Sequence, residues 1–542
     1  MYRCNFCSSI DTISLHPDET YATCQDELCS TCRRFQTLNE QIWQLQSSLT
    51  DLVNERRNLK PQLNNVHQSI IHRLPVEIST TIFFYYVHDS SKLERPTIRS
   101  WVQRLDSPLV LGAVCQAWRH IAWSFPNLWT SLKMELGSPV RATKIQIAIE
   151  WLCRSESLPL TIKLFSHKVL EKLDAEPYFS FIAFINQQSY RWYSLTLDLP
   201  GVLLSRFHDS QGTTGMLHKL DINLSSSSPS ELCISRAAPR LVSIRNVELD
   251  NTRFKWKNIT YFSSTHFRLD EVLAVLRRAP QLMSAEFLAV KRRPNRNSTN
   301  EHQSPSIYPL KSLVIGFDQS SIGSFFDNVT LPSLTNFTFY LASKRTPVET
   351  LASFLERSGC HLEKFSLQEV KINNEDLIRI TRLLPSLSYL SLGIECFSNA
   401  TTDVTEQPLA LGSFYSALAA HSLVTVDSLP SFAGPLLPKL KTVKIFGNFL
   451  FKAELSGLLR GLFAPSSNRE STALRPLEFI QICFERSPED IIPFINQTTL
   501  DYILDLSRKG VKFDLKVQLE NNSKLGDLLQ LSLQKFDQAG VI

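Results

Sequence analysis

The stretch LTNFTFYL, residues 334–341, is one copy of a short apolar pattern that recurs through most of the chain. The pattern is Leu-x-x-Leu-x-Leu or a close variant, and several copies are spaced by about 24 to 28 residues. Polar residues and a helix-like stretch follow each copy. The other copies are LHKLDINL (217–224), LVSIRNVEL (241–249), LMSAEFLAV (282–290), LKSLVIGF (310–317), LEKFSLQEV (362–370), LSYLSLGI (387–394), LKTVKIF (440–446) and LEFIQICF (477–484).

Alternating apolar residues in such a copy predict a strand with one buried face, and one copy alone cannot bury that face. Stacked parallel strands with helices on the outer side solve the problem. Prolines support this order, because Pro280 and Pro385 end the helix-like stretches 269–280 and 374–385 just before the next strand. We therefore expect an α/β fold, an irregular leucine-rich-repeat-like solenoid over residues 155–542. The alternative is a generic α/β domain with parallel strands.

An amphipathic helix is predicted over residues 36–72, because apolar residues recur alternately every four and three positions. Pro61 should kink or restart this helix, and Arg56 interrupts the apolar series. The stripe could form a short coiled coil that makes the protein a homodimer through residues 38–70. It could equally pack on the neighbouring domain. The series is Leu38, Ile42, Leu45, Leu49, Leu52, Arg56, Leu59, Leu63, Val66 and Ile70.

Two further apolar stretches follow, IIHRLPVEISTTIFFYYV (70–87) and SPLVLGAVCQAWRHIAWSFPNLWTSL (107–132). Pro75 suits the first turn of a helix, where a missing N–H costs nothing, and Glu77 favours the same positive helix end. The second stretch carries Trp118 and Trp129, large rigid side chains that often anchor interfaces. A domain of about 55 residues has little core of its own, so these apolar stripes indicate a binding partner.

The two stretches resemble the F-box family, whose pattern runs Leu-Pro-x-Glu-Ile, Ile-Phe, Val-Cys-x-x-Trp-Arg-x-Ile-Ala and Leu-Trp. The chain resembles F-box-like proteins of mushroom-forming fungi, in which a heptad helix precedes the box and a leucine-rich-repeat-like region follows. The resemblance covers residues 73–132, with an insertion at 89–106. It implies adaptor-binding residues Leu74, Pro75, Ile78, Ile82, Phe83, Leu109, Leu111, Val114, Cys115, Trp118, Arg119, Ile121 and Trp129.

This resemblance implies that the chain is the substrate-recognition subunit of an SCF-type cullin-RING ubiquitin ligase. Its F-box would bind the adaptor subunit, and through it a cullin, while the repeats bind a protein target. The insertion could alter or abolish adaptor binding, so a non-ligase interaction scaffold with a drifted F-box is the alternative. A plain helical hairpin with a tryptophan core would also fit the two stretches.

The cysteine pairs of the N-terminal segment 1–35 have a spacing that could hold a tetrahedral zinc ion. Reduced, unpaired thiols are the other interpretation. The remaining cysteines are scattered, which favours a reducing compartment, the cytoplasm or the nucleus. The candidate ligands are Cys4, Cys7, Cys29 and Cys32.

Composition limits the other functions. A net charge of +5 on 542 residues is too small to predict nucleic-acid binding. No signal-peptide layout and no run of 18 apolar residues occurs, so we expect no membrane association. Phosphate-binding, dinucleotide-binding and hydrolase motifs are absent, and the 12 histidines are dispersed. We expect no enzymatic activity and, zinc apart, no cofactor.

Overall fold

The chain divides into two compact units in a computed structural model, Met1–Leu128 and Trp129–Ile542. Each unit is described separately below. The structure describes residues 30–66, 74–88, 108–137, 142–166, 175–209, 216–225, 231–291, 306–317, 322–341, 347–370, 372–394, 412–419, 436–447, 451–463, 475–484, 495–518 and 525–538.

The described part of the first unit is helical, with α1 (Ser30–Val66), α2 (Val76–His88), α3 (Pro108–Val114) and α4 (Gln116–Trp123). A short 3-10 helix, Pro126–Trp129, follows. The predicted amphipathic helix is present as α1 and continues through Pro61, where we expected a kink or a restart. Residues 67–73 and the insertion at 89–106 lie outside the described residues.

The second unit is built on a sheet of 15 strands in the described part of the chain. Consecutive strands of this sheet lie side by side in chain order, and all neighbours are parallel except the last pair. Its strands are β1 (Ser131–Glu135), β2 (Leu160–Phe165), β3 (Trp192–Leu199), β4 (Lys219–Leu224), β6 (Leu241–Arg245), β8 (Tyr261–Thr265), β9 (Ser284–Val290), β11 (Ser312–Phe317), β13 (Asn336–Leu341), β14 (Lys364–Val370), β15 (Tyr389–Ile394), β16 (Thr442–Gly447), β17 (Phe479–Phe484), β18 (Lys512–Gln518) and β19 (Leu525–Asp527).

Two small sheets pair the short strands β5 (Leu232–Cys233) with β7 (Thr252–Arg253), and β10 (Ser306–Ile307) with β12 (Val329–Thr330). Helices connect many of the strands. They are α5 (Ala142–Arg154), α6 (Phe179–Gln187), α7 (Gly201–Leu204), α8 (Leu269–Arg278), α9 (Ile322–Asn328), α10 (Val348–Ser358), α11 (Asn374–Arg382), α12 (Gly412–Ala419), α13 (Phe451–Phe463), α14 (Gln497–Arg508) and α15 (Leu528–Gln538).

Buried and less buried side chains alternate along the strands, and this alternation explains why the helices cover one face of the sheet. In β13, Phe337, Phe339 and Leu341 are buried, whereas the residues between them are only half-buried. Residues two apart in a strand share a face, so the buried set of every strand meets the helices in one layer. One hydrophobic cluster accordingly extends from Leu132 to Leu528. The expectation of a mixed α/β fold with parallel strands and connecting helices is confirmed.

The sheet begins earlier than the sequence indicated. We expected the repeat region to start at residue 155, but β1 already pairs in parallel with β2, and the second unit begins at Trp129. Both predicted connecting helices are present as α8 and α11, and each ends before the proline that follows it. None of the described helices is long and apolar enough to span a membrane.

Candidate functional site

The helices of the first unit place Leu74 and Pro75 at the start of α2. The Pro75 carbonyl accepts hydrogen bonds from the amides of Ile78 and Ser79, both at 3.1 Å, so the chain enters the helix directly after the proline. Glu77 lies in the first turn, where the positive end of the helix dipole stabilises a carboxylate.

Phe83 and Trp118 form the centre of this small unit. Their rings lie 4.9 Å apart, and Phe83 is almost fully buried at 2% exposure. Leu111 is buried as well. Phe83 and Leu111 were predicted to contact the adaptor. In this structure only 2% of Phe83 and 5% of Leu111 is exposed, so both lie mainly in the core of the unit.

Three apolar side chains of α2 instead face solvent on one side of the helix, Ile78, Ile82 and Tyr85. We call them the α2 stripe. Their spacing of four and three residues aligns them along one face. Ile78 and Ile82 are each 48% exposed, and Tyr85 is more exposed still. Of the other predicted residues on α3, Leu109 is partly exposed and Val114 is 58% exposed. Tyr85 was missed by the sequence analysis, although its spacing from Ile78 could have revealed it.

The remaining predicted residues hold the turn between α3 and α4. Cys115 is the N-cap of α4, and its sulfur accepts from the Trp118 amide at 3.4 Å. Arg119 Nε donates to the Gly112 carbonyl at 2.8 Å. Gly112 is required here, because a Cβ would lie 1.9 Å from the Trp123 ring. Ile121 is half-buried.

Trp129 belongs to the second unit. It is buried, its ring lies 5.0 Å from that of Trp151 in edge-to-face geometry, and the Arg154 guanidinium lies 5.0 Å above it. The adaptor role of Trp129 stays a prediction, and in this structure the residue packs in the core.

The zinc prediction concerns residues for which no geometry is described. Cys4, Cys7 and Cys29 lie outside the described residues, and Cys32 contributes only its backbone to α1. Within the described ranges, no three His, Cys, Asp or Glu side chains group together in a way that could hold a metal ion. The N-terminal zinc site remains a prediction.

A second surface lies on the 15-stranded sheet, formed by the side chains that alternate with the buried ones. We call it the polar face. It is rich in hydroxyl, amide and charged groups and includes Thr196, Asp198, Asp221, Asn223, Ser243, Arg245, Tyr261, Ser263, Glu286, Thr338, Tyr340, Ser366, Gln368, Tyr389, Lys444, Phe479, Gln481 and Asp514.

Hydrogen bonds between neighbouring strands order the polar face near β3, β4 and β6. Asn223 donates to the Asp198 carboxylate at 2.9 Å and accepts from Asn246 at 3.0 Å. Arg245 forms an ion pair of 2.9 Å with Asp221. These side chains are therefore held in place by one another.

Glu286 is the acidic group near the middle of this face. It is half-buried and accepts a hydrogen bond of 3.0 Å from the Tyr261 hydroxyl. Among the described residues, no cation lies within ion-pair distance of it. Burial, and then Glu286 itself, raise the pKa of Tyr261. Burial also raises the pKa of Tyr340, with a smaller contribution from the charges of Glu286 and Glu369.

The later strands carry a cation between aromatic rings. Lys444 Nζ lies 5.7 Å from the Tyr389 ring centre and 5.8 Å from that of Phe479. Gln481 donates to Asp514 at 2.6 Å one strand further on. The polar face therefore presents cationic, acidic and aromatic groups in different places.

A cleft of about 480 Å³ opens where β4, β6 and β8 end. Asn246 and His266 line it with positive φ angles of 58° and 63°. The buried Glu271 carboxylate caps α8 by accepting from the Arg268 amide at 2.8 Å, and Arg268 forms an ion pair of 3.1 Å with Glu248. Arg268 therefore lies between the carboxylates of Glu248 and Glu271 and offsets the charge of one of them.

A scan against models of protein families finds no match for this sequence, and a search of curated proteins also finds none. The candidate functional surfaces of the described residues are the α2 stripe with Val114 and the polar face.

Proposed function

We propose that this protein is the substrate-recognition subunit of an SCF-type cullin-RING ubiquitin ligase and has no catalytic activity of its own. The region from Leu74 to Trp123 would bind the adaptor subunit, which links it to a cullin. The polar face would hold a protein target. In this proposal the second unit is an irregular leucine-rich-repeat-like solenoid, which the chain-order stacking of its parallel strands supports.

The observation that carries the proposal is the exposure of Ile78, Ile82 and Val114 above a core of Phe83 and Trp118. These five residues belong to the F-box-like pattern. In the structure Phe83 is buried and Trp118 half-buried, whereas Ile78, Ile82 and Val114 are exposed. Exposed aliphatic groups on a small helical unit are unfavourable in water and are stabilised when a partner covers them.

The test is adaptor binding by the full-length protein. In the Ile78→Asp/Ile82→Asp variant, two half-exposed side chains are lost, each worth about 1 kcal/mol of apolar burial. Two carboxylates must also be desolvated in the interface. We expect adaptor affinity to fall by about a hundredfold or more. Calorimetry or surface plasmon resonance with the purified adaptor measures it.

Ile147→Asp is the matched control, because Ile147 is also an isoleucine with 48% exposure but lies on α5 of the second unit. This control should bind the adaptor like the wild type. Trp118→Ala is a poorer choice, because the Trp118 ring packs on Phe83 and its loss would damage the fold. Equal affinities of the α2 variant and the control would refute the interface.

A wild-type protein that never binds the adaptor would favour the alternative, an interaction scaffold with a drifted F-box. The polar face can be tested separately by target capture. Proteins that accumulate on the adaptor-deficient variant are candidate targets, because they are bound but not ubiquitylated. Adding Glu286→Lys to that variant should release them, since Glu286 is exposed in part and has no cation beside it among the described residues.

A further inference from the structure

Helix α1 presents a continuous apolar seam to solvent along its length. The helix spans 37 residues, about 55 Å at 1.5 Å per residue. The seam residues are between 40% and 70% exposed, so nothing described covers them. Within the first unit, therefore, the described residues do not supply a partner for the seam. The exposed members are Leu38, Ile42, Leu45, Leu49, Leu52, Leu59 and Leu63.

The spacing of the seam selects its partner. Apolar residues alternate every four and three positions over more than three heptads, which is the pattern of a coiled coil. Single helices in water are marginal without burial of one face. A second copy of α1 offers an identical seam of identical length, so every apolar position meets another one. Pro61 is at heptad position f, two residues from Leu59 and two from Leu63, on the side of the helix opposite the seam.

We propose that two copies of this chain associate through α1 as a parallel, in-register coiled coil. In heptad notation, Ile42, Leu49 and Arg56 occupy position a, and Leu45 and Leu52 occupy position d. A polar residue at one a position favours two strands and a fixed register at some cost in stability. Arg56 has this role here.

Charged residues beside the seam favour the parallel orientation of the two helices. Glu55 is at position g and Lys60 at position e of the following heptad. In a parallel pair, position g of one helix faces position e of the next heptad in the other helix. Glu55 of each copy then meets Lys60 of the other copy, and its carboxylate also lies beside Arg56 of that copy. An antiparallel pair places g opposite g and loses both attractions.

A parallel dimer has a consequence for binding. The two α1 helices end side by side at Val66, and α2 begins ten residues later at Val76. Two adaptor-binding regions are thereby joined at one end of the coiled coil. If the proposed function holds, a target with two binding segments would be held bivalently, which strengthens binding without a new contact. The dimer itself does not depend on that function.

Light scattering of the full-length protein across a range of concentrations tests the association. The wild type should have twice the mass of the chain and dissociate on dilution. Leu45→Asp/Leu52→Asp should give a monomer with unchanged thermal unfolding of the second unit. The control is Trp43→Asp, because Trp43 is 63% exposed but lies off the seam. A monomeric wild type, or a dimeric seam variant, would overturn the proposal.

Charge reversal tests the orientation. Glu55→Lys alone and Lys60→Glu alone should each raise the dimer dissociation constant about tenfold, because two symmetric ion pairs become repulsive. The double variant should recover wild-type affinity. In addition, Leu45→Cys should form a disulfide between the two introduced thiols under mild oxidation, identified by peptide mapping. No recovery in the double variant, or no such crosslink, would overturn the parallel register.

Discussion

Arg475 offers the sharpest test of how the second unit is held together. Its guanidinium is largely buried, and within the described part of the chain the hydrogen bonds that it donates all go to backbone carbonyls of segments distant from it in the chain. Nη2 lies 2.7 Å from two of them, and the other contacts are 3.1–3.2 Å long. The acceptors are the carbonyl oxygens of Leu418, Leu436, Leu437, Gly461 and Leu462.

These five carbonyls belong to the end of α12, the end of α13 and the segment before β16, so Arg475 joins all three. Burial lowers the pKa of Arg475, but an arginine keeps its charge at any pH at which the protein folds. In Arg475→Met each carbonyl loses its donor, which costs about 1 kcal/mol or more of stability. Water that enters the site recovers part of this cost. We expect a loss of about 3–5 kcal/mol. Arg475→Lys should lose less, because an ammonium has three donors.

Hydrogen exchange is the suitable assay, because a long sheet can unfold in parts. In Arg475→Met, amides of α12 and α13 should exchange at least a hundredfold faster, whereas those of β3 and β4 should change little. Arg460→Met is the matched control, since Arg460 is exposed on α13 and its replacement should change stability by less than about 0.5 kcal/mol. Equal exchange in the two variants would refute this reasoning.

Further predictions concern a thiol, a glycine and a buried arginine. Burial raises the pKa of the Cys360 thiol to about 11, so its alkylation at pH 8 should be about a hundredfold slower than that of an ordinary free thiol and should accelerate as the pH rises towards 11. Peptide mapping after iodoacetamide treatment checks this against the exposed Cys153, and equal rates would contradict it. Gly112→Ala should destabilise the α3–α4 turn by about 1–3 kcal/mol, measured by thermal unfolding, because its Cβ would meet the Trp123 ring; an unchanged melting temperature would show that the ring simply moves aside. Arg191→Ala should cost about 2–4 kcal/mol in denaturant unfolding, because the Leu158 carbonyl, 2.9 Å from Arg191 Nε, would stay buried without its donor. A change below 1 kcal/mol would show that water replaces this arginine.

Much of the sheet was predictable because strand patterning is local. Each of the nine apolar fragments found in the sequence became a strand, since period-two alternation is read directly from neighbouring residues. β8 was missed. Its sequence YFSST has one strongly apolar residue, Phe262, between hydroxyl side chains. Its strand geometry depends on pairing with β6 and β9, which only the folded chain supplies.

The candidate adaptor surface was predictable as a set of residues but not as a surface. Ile82 and Phe83 are adjacent and similarly apolar, yet one is 48% exposed and the other is buried. Which face of a short apolar helix turns inward depends on its neighbours, here the Trp118 ring on α4. For the same reason the sequence could not show that Trp129 packs in the second unit on Trp151.

By itself, the sequence determined the features with a local period, namely the strands, the connecting helices and the heptad seam of α1. The tertiary structure decided the features that depend on residues far apart in the chain. The Tyr261 hydroxyl lies beside the Glu286 carboxylate because β8 and β9 are neighbours in the sheet. No cation lies beside this carboxylate among the described residues. Arg475 lies outside the periodic segments found in the sequence, and folding brings carbonyls up to 57 residues away around its charge. Periodicity is a property of neighbouring residues, whereas burial and charge pairing belong to the assembled fold.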